Sequence, residues 1–215
     1  MLLHYFYFQK KTESYWENLS EKFEIKRQYF KPYPVCRWAQ PSIEAIMFLY
    51  KEHTIDVSQI KSVTVETFYE ASRLNNKMPK TTEEAQYALK YPIVITLLKE
   101  DLTKKIIKND FIMNEKTKKL FEKVKIKELG EFNEQFPAKR LAKIKIEMND
   151  GSIYKSGPKE AIWGENNTPS YEQIKNKFFE LCAYNYTKQT ADKIEFLIKN
   201  CENLEDIKSI NSLLH

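Results

Sequence analysis

The spacing of hydrophobic positions changes along the chain, and it predicts which segments form helices and which form strands. Apolar residues three and four positions apart fit the helical period, whereas alternation with polar residues fits a half-buried strand. Helices are predicted for part of residues 1–24 and for residues 42–53, 83–98, 103–123 (two short helices), 171–184, 190–200 and 204–214. Strands are predicted for residues 25–30, 63–67, 142–148 and 152–155.

Local signals mark where several of these elements begin, bend or turn. Within residues 42–53 we expect a buried apolar stripe, formed by Ile43, Ile46, Met47, Leu49 and Tyr50. Thr81 or Thr82 is suited to cap the next helix, and Pro92 should kink or interrupt it. Asn149-Asp150-Gly151 has the turn chemistry of a β-hairpin.

The order of these elements predicts an α+β fold, in which one small sheet is covered by helices and C-terminal helices follow. Strands occupy two early stretches and one late hairpin, with helices between them, which does not fit a doubly wound nucleotide fold. We divide the chain into an N-terminal helical segment (1–24), an α+β domain (25–180) and C-terminal helices (181–215).

Composition excludes several kinds of cofactor site. The chain has only 4 glycines, and their positions cannot form a glycine-rich phosphate loop of either common type. The 3 cysteines, Cys36, Cys182 and Cys201, are far apart and form no C-x-x-C pair, so neither a zinc site nor a disulfide framework is indicated. We therefore expect no metal and no cofactor.

Charge and hydropathy argue against nucleic acid and membrane partners. The formal net charge of +5 is modest, and basic and acidic residues are interleaved rather than gathered on one stripe. The apolar run over residues 1–8 is too short to span a bilayer and lacks the features of a signal peptide. We expect a cytoplasmic protein.

Three prolines make residues 31–42 a stiff strand-to-helix junction. Pro32 and Pro34 restrict themselves and the residues before them to extended conformations. Pro41 suits the first turn of the following helix, where a missing N–H is tolerated.

The same junction carries side chains that suit a carboxylate ligand. Lys31 and Arg37 are candidate carboxylate ligands, and Tyr33 is a candidate hydrogen-bond donor. The alternative is that both cations are ordinary surface residues, with Tyr33 and Trp38 packed beneath them.

Residues 31–45 resemble the motif that opens the second domain of the MmgE/PrpD family, which includes 2-methylcitrate dehydratase and cis-aconitate decarboxylase. Further motifs similar to those of the family follow in the same order, at residues 60–67, 79–91, 149–154 and 164–178. The resemblance covers about residues 25–180 and implies the family's second, α+β domain.

The resemblance implies a lyase that acts on small polycarboxylates, as in propionate catabolism, and it assigns roles to particular residues. Lys31 and Tyr91 become candidate catalytic residues, and the candidate substrate ligands are Lys31, Tyr33, Arg37, Gln40 and Glu84. Gln40 stands where family members often carry a histidine, and glutamine cannot exchange a proton near neutral pH. The alternative makes Glu84 a first-turn partner of the helix dipole and Tyr91 a core residue.

The family's preceding helical domain supplies catalytic Asp and His residues and most of the dimer contact, and this sequence does not contain it. We therefore expect a truncated lyase that is inactive alone, with either a separate helical subunit or self-association. The face expected to be uncovered consists of Ile194, Leu197, Ile198, Leu204, Ile207 and Ile210. The alternatives are a non-catalytic remnant or interaction module, and half of a related isomerase, epimerase or decarboxylase.

Overall fold

The computed structural model describes residue 21 and residues 23–107 and 114–214. The chain divides into two compact units, Met1–Asn167 and Thr168–His215. The predicted helix within residues 1–24 lies almost wholly outside the described residues.

The first unit is built on a mixed sheet of five strands. They are β1 (Ile60–Thr67), β2 (Val124–Glu128), β3 (Leu141–Met148), β4 (Ile153–Lys155) and β5 (Lys159–Glu160). The order is β2-β1-β3-β4, and β5 also pairs with β3. β1 and β2 are parallel and the other pairs antiparallel, so the chain crosses over between β1 and β2 through several helices.

The described residues form ten α-helices and three short 3₁₀ helices. The α-helices of the first unit are α1 (Gln40–Glu52), α2 (Tyr69–Ser72), α3 (Thr82–Gln86), α4 (Lys90–Leu97), α5 (Leu102–Ile107), α6 (Glu115–Lys123) and α7 (Gly130–Asn133). Those of the second unit are α8 (Tyr171–Cys182), α9 (Lys188–Lys199) and α10 (Lys208–Asn211). The 3₁₀ helices are Glu24–Arg27, Val57–Gln59 and Cys201–Asn203.

One face of the sheet forms the main core together with α1 and α4. Side chains along β1 and β3 alternate between this core and the other face, as the two-residue period of a strand requires. α1 contributes Ile43, Ile46 and Leu49, whose side chains are at most 1% exposed. Every residue of α4 after Lys90 is buried, so the helix lies inside the unit rather than on its surface.

A smaller aromatic cluster anchors the residues just before α1. Trp38 packs edge-on against Phe68 and Phe136, with ring centroids 6.3 and 6.0 Å apart. Phe68 and Phe132 are fully buried in the same cluster. The start of α1 is thereby fixed against the chain that follows β1 and β2.

The second unit is a small helical assembly. α8 begins with a capping box in which the side chains of Ser170 and Gln173 each bond to the backbone of the other residue. Lys175 on α8 and Glu195 on α9 form an ion pair at 3.1 Å. These contacts explain where α8 starts and how it is joined to α9.

Several predictions from the sequence are confirmed. The fold is α+β, the helix over residues 42–53 corresponds to α1, and the hairpin of β3 and β4 turns at residues 149–151. Gly151 has a φ of +89°, which the turn requires and glycine adopts easily. Thr81 caps α3 by accepting a hydrogen bond from the Glu84 N–H at 3.2 Å.

The predicted strand over residues 25–30 is wrong. Its first half is the 3₁₀ helix Glu24–Arg27, closed in part by a hydrogen bond from the Lys26 N–H to the Phe23 carbonyl at 3.0 Å. The side chain of Ile25 is 73% exposed, so no buried face holds this segment in a sheet. A strand that we did not predict, β2, takes its place in the fold.

The predictions around Pro92 and Met47 need correction. The helix predicted over residues 83–98 is two helices, α3 and α4, and Pro92 lies in the first turn of α4. The break falls at residues 87–89 because the proline ring would clash with the carbonyl four residues before it. Met47 is 42% exposed rather than buried, since it lies at the edge of the apolar stripe of α1.

The C-terminal predictions also hold only in part. The third helix, predicted over residues 204–214, is reduced to the short α10. Ile194 is only 3% exposed, so it does not belong to an uncovered face. It shares the inner side of α9 with Ala191, three positions earlier.

A pair of substitutions on α1 tests the core. Leu49→Ala should lower the free energy of unfolding by about 2–5 kcal/mol because it leaves a cavity beneath the helix. Met47→Ala, on the exposed edge of the same helix, should change it by less than about 1 kcal/mol. Urea unfolding followed by circular dichroism measures both, and equal effects would contradict the placement of α1.

Candidate functional site

Residues 31–39 form a compact turn that is tied to other parts of the first unit. The Val35 N–H donates to the Tyr33 carbonyl at 2.9 Å, and the Cys36 N–H donates to the Gln86 carbonyl at 2.7 Å. Val35 is buried and Tyr33 is half-buried against the main core. The backbone that carries Lys31 and Tyr33 is therefore held in place at its C-terminal end.

Arg37 joins this turn to a segment more than 120 positions further along the chain. Its Nη1 donates to the Ile162 carbonyl at 2.5 Å, and its Nη2 donates to the Ala161 carbonyl at 3.2 Å. Nη1 also lies 3.4 Å from the Phe30 carbonyl, and the guanidinium group lies over the Tyr29 ring, 4.6 Å from its centroid. Arg37 is only 9% exposed, and burial lowers the pKa of its guanidinium group.

The close approach of Gly164 to Arg37 explains why a glycine stands at this position. A Cβ at Gly164 would lie 3.2 Å from Arg37 Nη2, so any larger residue would press on the guanidinium group. The Phe30 N–H donates to the Trp163 carbonyl at 3.0 Å, which joins the same two segments a second time. We call Arg37 and residues 161–164 the arginine clamp.

Gln40 completes the clamp from within α1. Its Oε1 accepts from Arg37 Nη1 at 3.1 Å, and its Nε2 donates to the Val35 carbonyl at 3.2 Å and the Tyr33 carbonyl at 3.4 Å. The side chain is fully buried. The amide thus supports the turn with both of its polar atoms, a role that needs no proton exchange.

Glu44 is a residue that the sequence analysis missed. It lies one helical turn after Gln40 and is half-buried, and its Oε1 is buried without a hydrogen-bond partner in the described structure. Burial raises the pKa of its carboxyl group above the ordinary glutamate value, although hydrogen bonding with Tyr33 and the charges of Lys51 and Arg37 oppose that shift. A sequence signal existed, because Glu44 is the only charged residue between Arg37 and Lys51.

Tyr33 shares the environment of Glu44. Burial, the charge of Glu44 and hydrogen bonding with its carboxyl group all raise the pKa of the Tyr33 hydroxyl. The raised pKa keeps the phenol protonated near neutral pH.

A cavity of about 430 Å³ opens beside this pair, between α1 and the chain from α4 to α5. It is lined by Tyr33, Ile43, Met47, Tyr50, Thr96, Lys99, Glu100, Asp101, Leu102 and Thr103. The Tyr50 hydroxyl donates to the Leu97 carbonyl at 2.5 Å, and burial raises its pKa to about 12. Lys99 has a φ of +56°, an uncommon backbone conformation for a residue other than glycine.

The structure brings some of the predicted site residues together and separates others. Tyr33, Arg37 and Gln40 form one connected group, while Lys31 is exposed at the start of the same segment. Tyr91 is fully buried in the main core. Glu84 is exposed in the first turn of α3, where its Oε2 accepts from the Lys80 N–H at 2.6 Å. Their roles toward a substrate stay predictions.

Two kinds of feature are absent from the described residues. No group of three or more His, Cys, Asp and Glu side chains in the described part of the chain could hold a metal ion. None of the helices in residues 23–107 and 114–214 is both long enough and apolar enough to cross a membrane.

The fold and this turn together define an α+β domain in which a buried arginine organises a proline-rich junction. The family model of the MmgE/PrpD C-terminal domain matches residues 33–203. Because the match covers most of the chain, the chain belongs to the MmgE/PrpD family. A comparison with curated proteins found no match.

Replacing the clamp arginine by lysine tests whether the forked guanidinium group is required. Arg37→Lys should lower the free energy of unfolding by about 2–4 kcal/mol, because one ammonium group cannot reach both carbonyls and Gln40, and buried acceptors lose their donors. The measurement is urea unfolding at pH 7.

Arg73→Lys is the matched control for that substitution. Arg73 is exposed and stacks on Tyr69 at the surface, so its replacement should have little effect. If both variants lost the same stability, Arg37 would not be acting as a clamp.

Proposed function

We propose that this chain provides the polycarboxylate-binding domain of an MmgE/PrpD-type lyase, with activity like that of 2-methylcitrate dehydratase. The observation that carries the proposal is the family match, which begins at Tyr33, inside the turn that the arginine clamp holds rigid. A rigid turn reduces the ordering that a bound substrate would require. The proposal includes a cytoplasmic location, which the free state of Cys36, Cys182 and Cys201 supports.

Lys31 is the residue to which we assign the first contact with substrate. It is exposed and lies two residues before Tyr33. An ammonium group binds a carboxylate as a point charge, and it also stabilises negative charge that develops when a proton next to a carboxylate is removed.

Arg37 and Gln40 enter the proposal in a different role from the one expected. Their polar atoms already bond to the main chain and to each other, so we assign them to holding the turn rather than to holding substrate. Tyr33 remains the candidate donor to the substrate, since it lines the cavity.

Tyr91 and Glu84 have only indirect roles in the proposed function. Tyr91 is buried among core residues, so we assign it to shaping α4 beside the cavity. Glu84 is exposed, and we retain it as a peripheral substrate ligand.

Dehydration needs a base for the carbon-bound proton and an acid for the leaving hydroxyl. The family resemblance attributes catalytic Asp and His residues to a helical domain, and we propose that this chain works together with such a domain. No 2-methylcitrate dehydration is then expected from the 215-residue chain alone.

Ligand binding tests the proposal without requiring turnover. Isothermal titration calorimetry should show that citrate and 2-methylcitrate bind the chain, and that Lys31→Ala weakens binding about tenfold by removing the cation that receives a carboxylate. Lys77→Ala, at another exposed lysine, should leave the Kd unchanged. Absence of binding by the unaltered chain would refute the proposed function, and equal Kd values for both variants would remove Lys31 from it.

Exposed apolar side chains in the second unit favour an interaction module as the second candidate function. Tyr171, Phe196, Ile198 and Ile207 are 57%, 62%, 50% and 68% exposed. Exposed apolar side chains that form a contiguous patch often mark contact surfaces. Self-association or docking of a helical partner would cover them.

Light scattering tests self-association through this unit. We expect the average mass of the chain to rise with concentration and Phe196→Asp to suppress the rise, because a charge cannot be buried at an apolar contact. Gln189→Asp, on the same helix at another exposed position, should have no effect. A monomer over the whole concentration range would exclude self-association.

A further inference from the structure

Glu44 is held in an environment that does not suit a carboxylate. Its Oε1 is buried with no hydrogen-bond partner among the described residues, and no described cation lies within ion-pair distance of it. Burying a charge without such partners is unfavourable. A carboxyl group in this position gains from holding a proton.

The nearby charges do not neutralise Glu44. The guanidinium group of Arg37 bonds to the carbonyls of residues 161 and 162 and to Gln40. Lys51 lies seven residues further along α1 and acts on Glu44 only at a distance. Tyr33, Arg37 and Lys51 are the titratable or charged groups that influence this carboxyl. The Arg37 donors are therefore engaged in the clamp, and Arg37 forms no ion pair with Glu44 in the described structure.

Tyr33 connects this buried carboxyl group with the cavity. Tyr33 lines the cavity of about 430 Å³, as do Ile43 and Met47, which flank Glu44 on α1. Glu44 itself does not line it. Tyr33 is therefore a residue that both interacts with Glu44 and lines the cavity.

We propose that Glu44 is a buried proton reservoir that serves the polycarboxylate site through Tyr33. Glu44 lies four residues after Gln40, on the same side of α1, and so restores a titratable group one turn from a position that cannot exchange protons. This inference rests on the proposed function, because it needs a substrate beside Tyr33.

The transfer supplies one of the two proton movements of the elimination. A base of the helical domain takes the carbon-bound proton, the electron pair of that carbon–hydrogen bond forms the double bond, and the carbon–oxygen bond to the leaving hydroxyl breaks. The Tyr33 hydroxyl gives its proton to that oxygen, which leaves as water. Tyr33 takes the proton of the Glu44 carboxyl in the same step, which leaves a carboxylate and no free phenolate. Because burial disfavours the Tyr33 phenolate, the two transfers must be coupled. Glu44 thus acts through Tyr33 as a positioning residue that also stores the proton.

A pH titration of the free chain tests the interaction between Glu44 and Tyr33 without any substrate. Carbon-13 NMR of the glutamate carboxyl groups should show one resonance that titrates above the ordinary range near pH 4.3 and that disappears in Glu44→Gln. Tyr33→Phe should raise the midpoint further, because the lost hydrogen bond had favoured the charged form. An ordinary midpoint, or no shift in Tyr33→Phe, would overturn the inference.

Stability against pH gives a second test of the free chain. A carboxyl group whose pKa is raised on folding binds more protons folded than unfolded, so the wild type should lose stability as pH rises from about 4.3 through the raised pKa. Glu44→Gln should remove this loss and be more stable at pH 7, whereas Glu52→Gln, at the exposed end of α1, should match the wild type. A merely structural Glu44 predicts a less stable Glu44→Gln, which would overturn the inference.

Proton exchange on binding tests the link to the ligand. Calorimetry of citrate binding in two buffers with different heats of ionisation should show proton uptake in the wild type, because a bound anion favours the protonated carboxyl. Uptake should be smaller in Glu44→Gln and unchanged in Glu52→Gln. Equal uptake in all three proteins overturns this inference alone, whereas no citrate binding by the wild type overturns the proposed function.

Discussion

The guanidinium group of Arg37 is the constraint on which the candidate site depends. It bonds to the carbonyls of Ala161 and Ile162 and so closes a loop of more than 120 residues between the turn before α1 and the chain after β5. A forked donor with fixed geometry suits two adjacent carbonyls better than a single ammonium group does. Because the clamp sets the position of this turn, it also sets where Lys31 and Tyr33 lie relative to the cavity.

The clamp has an electrostatic consequence for its surroundings. An arginine engaged by main-chain oxygens keeps its charge but has fewer of its five N–H donors left for a nearby carboxylate. Glu44 is left half-buried, with hydrogen bonding to Tyr33 and only distant cations. A residue with a structural task and a carboxyl group whose pKa is raised by burial therefore lie within eight positions of each other in the sequence.

The sequence predicts the parts of this structure that depend on local spacing. α1 follows from its helical period, and the β3–β4 hairpin follows from the turn chemistry of Asp150 and Gly151. β2 was missed because its Val124 and Ile126 alternate with lysines, which dilutes the signal of a short strand. In the site, the proline-rich turn is visible from sequence, but the contacts of Arg37 are not, because its partners are far away along the chain.

The same distinction explains why the burial of Glu44 and of Arg37 could not be predicted from the sequence. A charged residue at the surface and a charged residue in a core look alike in a sequence, and burial depends on what the tertiary fold places over it. Position offers one exception: a lone acid inside an otherwise uncharged stretch of an amphipathic helix has no polar neighbours to keep it in water. Glu44 stands in such a stretch, with Ile43 and Ala45 fully buried on either side. A carboxyl group whose pKa is perturbed by burial and by a specific neighbour is a candidate functional group, and Glu44 fits that description through its burial and its interaction with Tyr33.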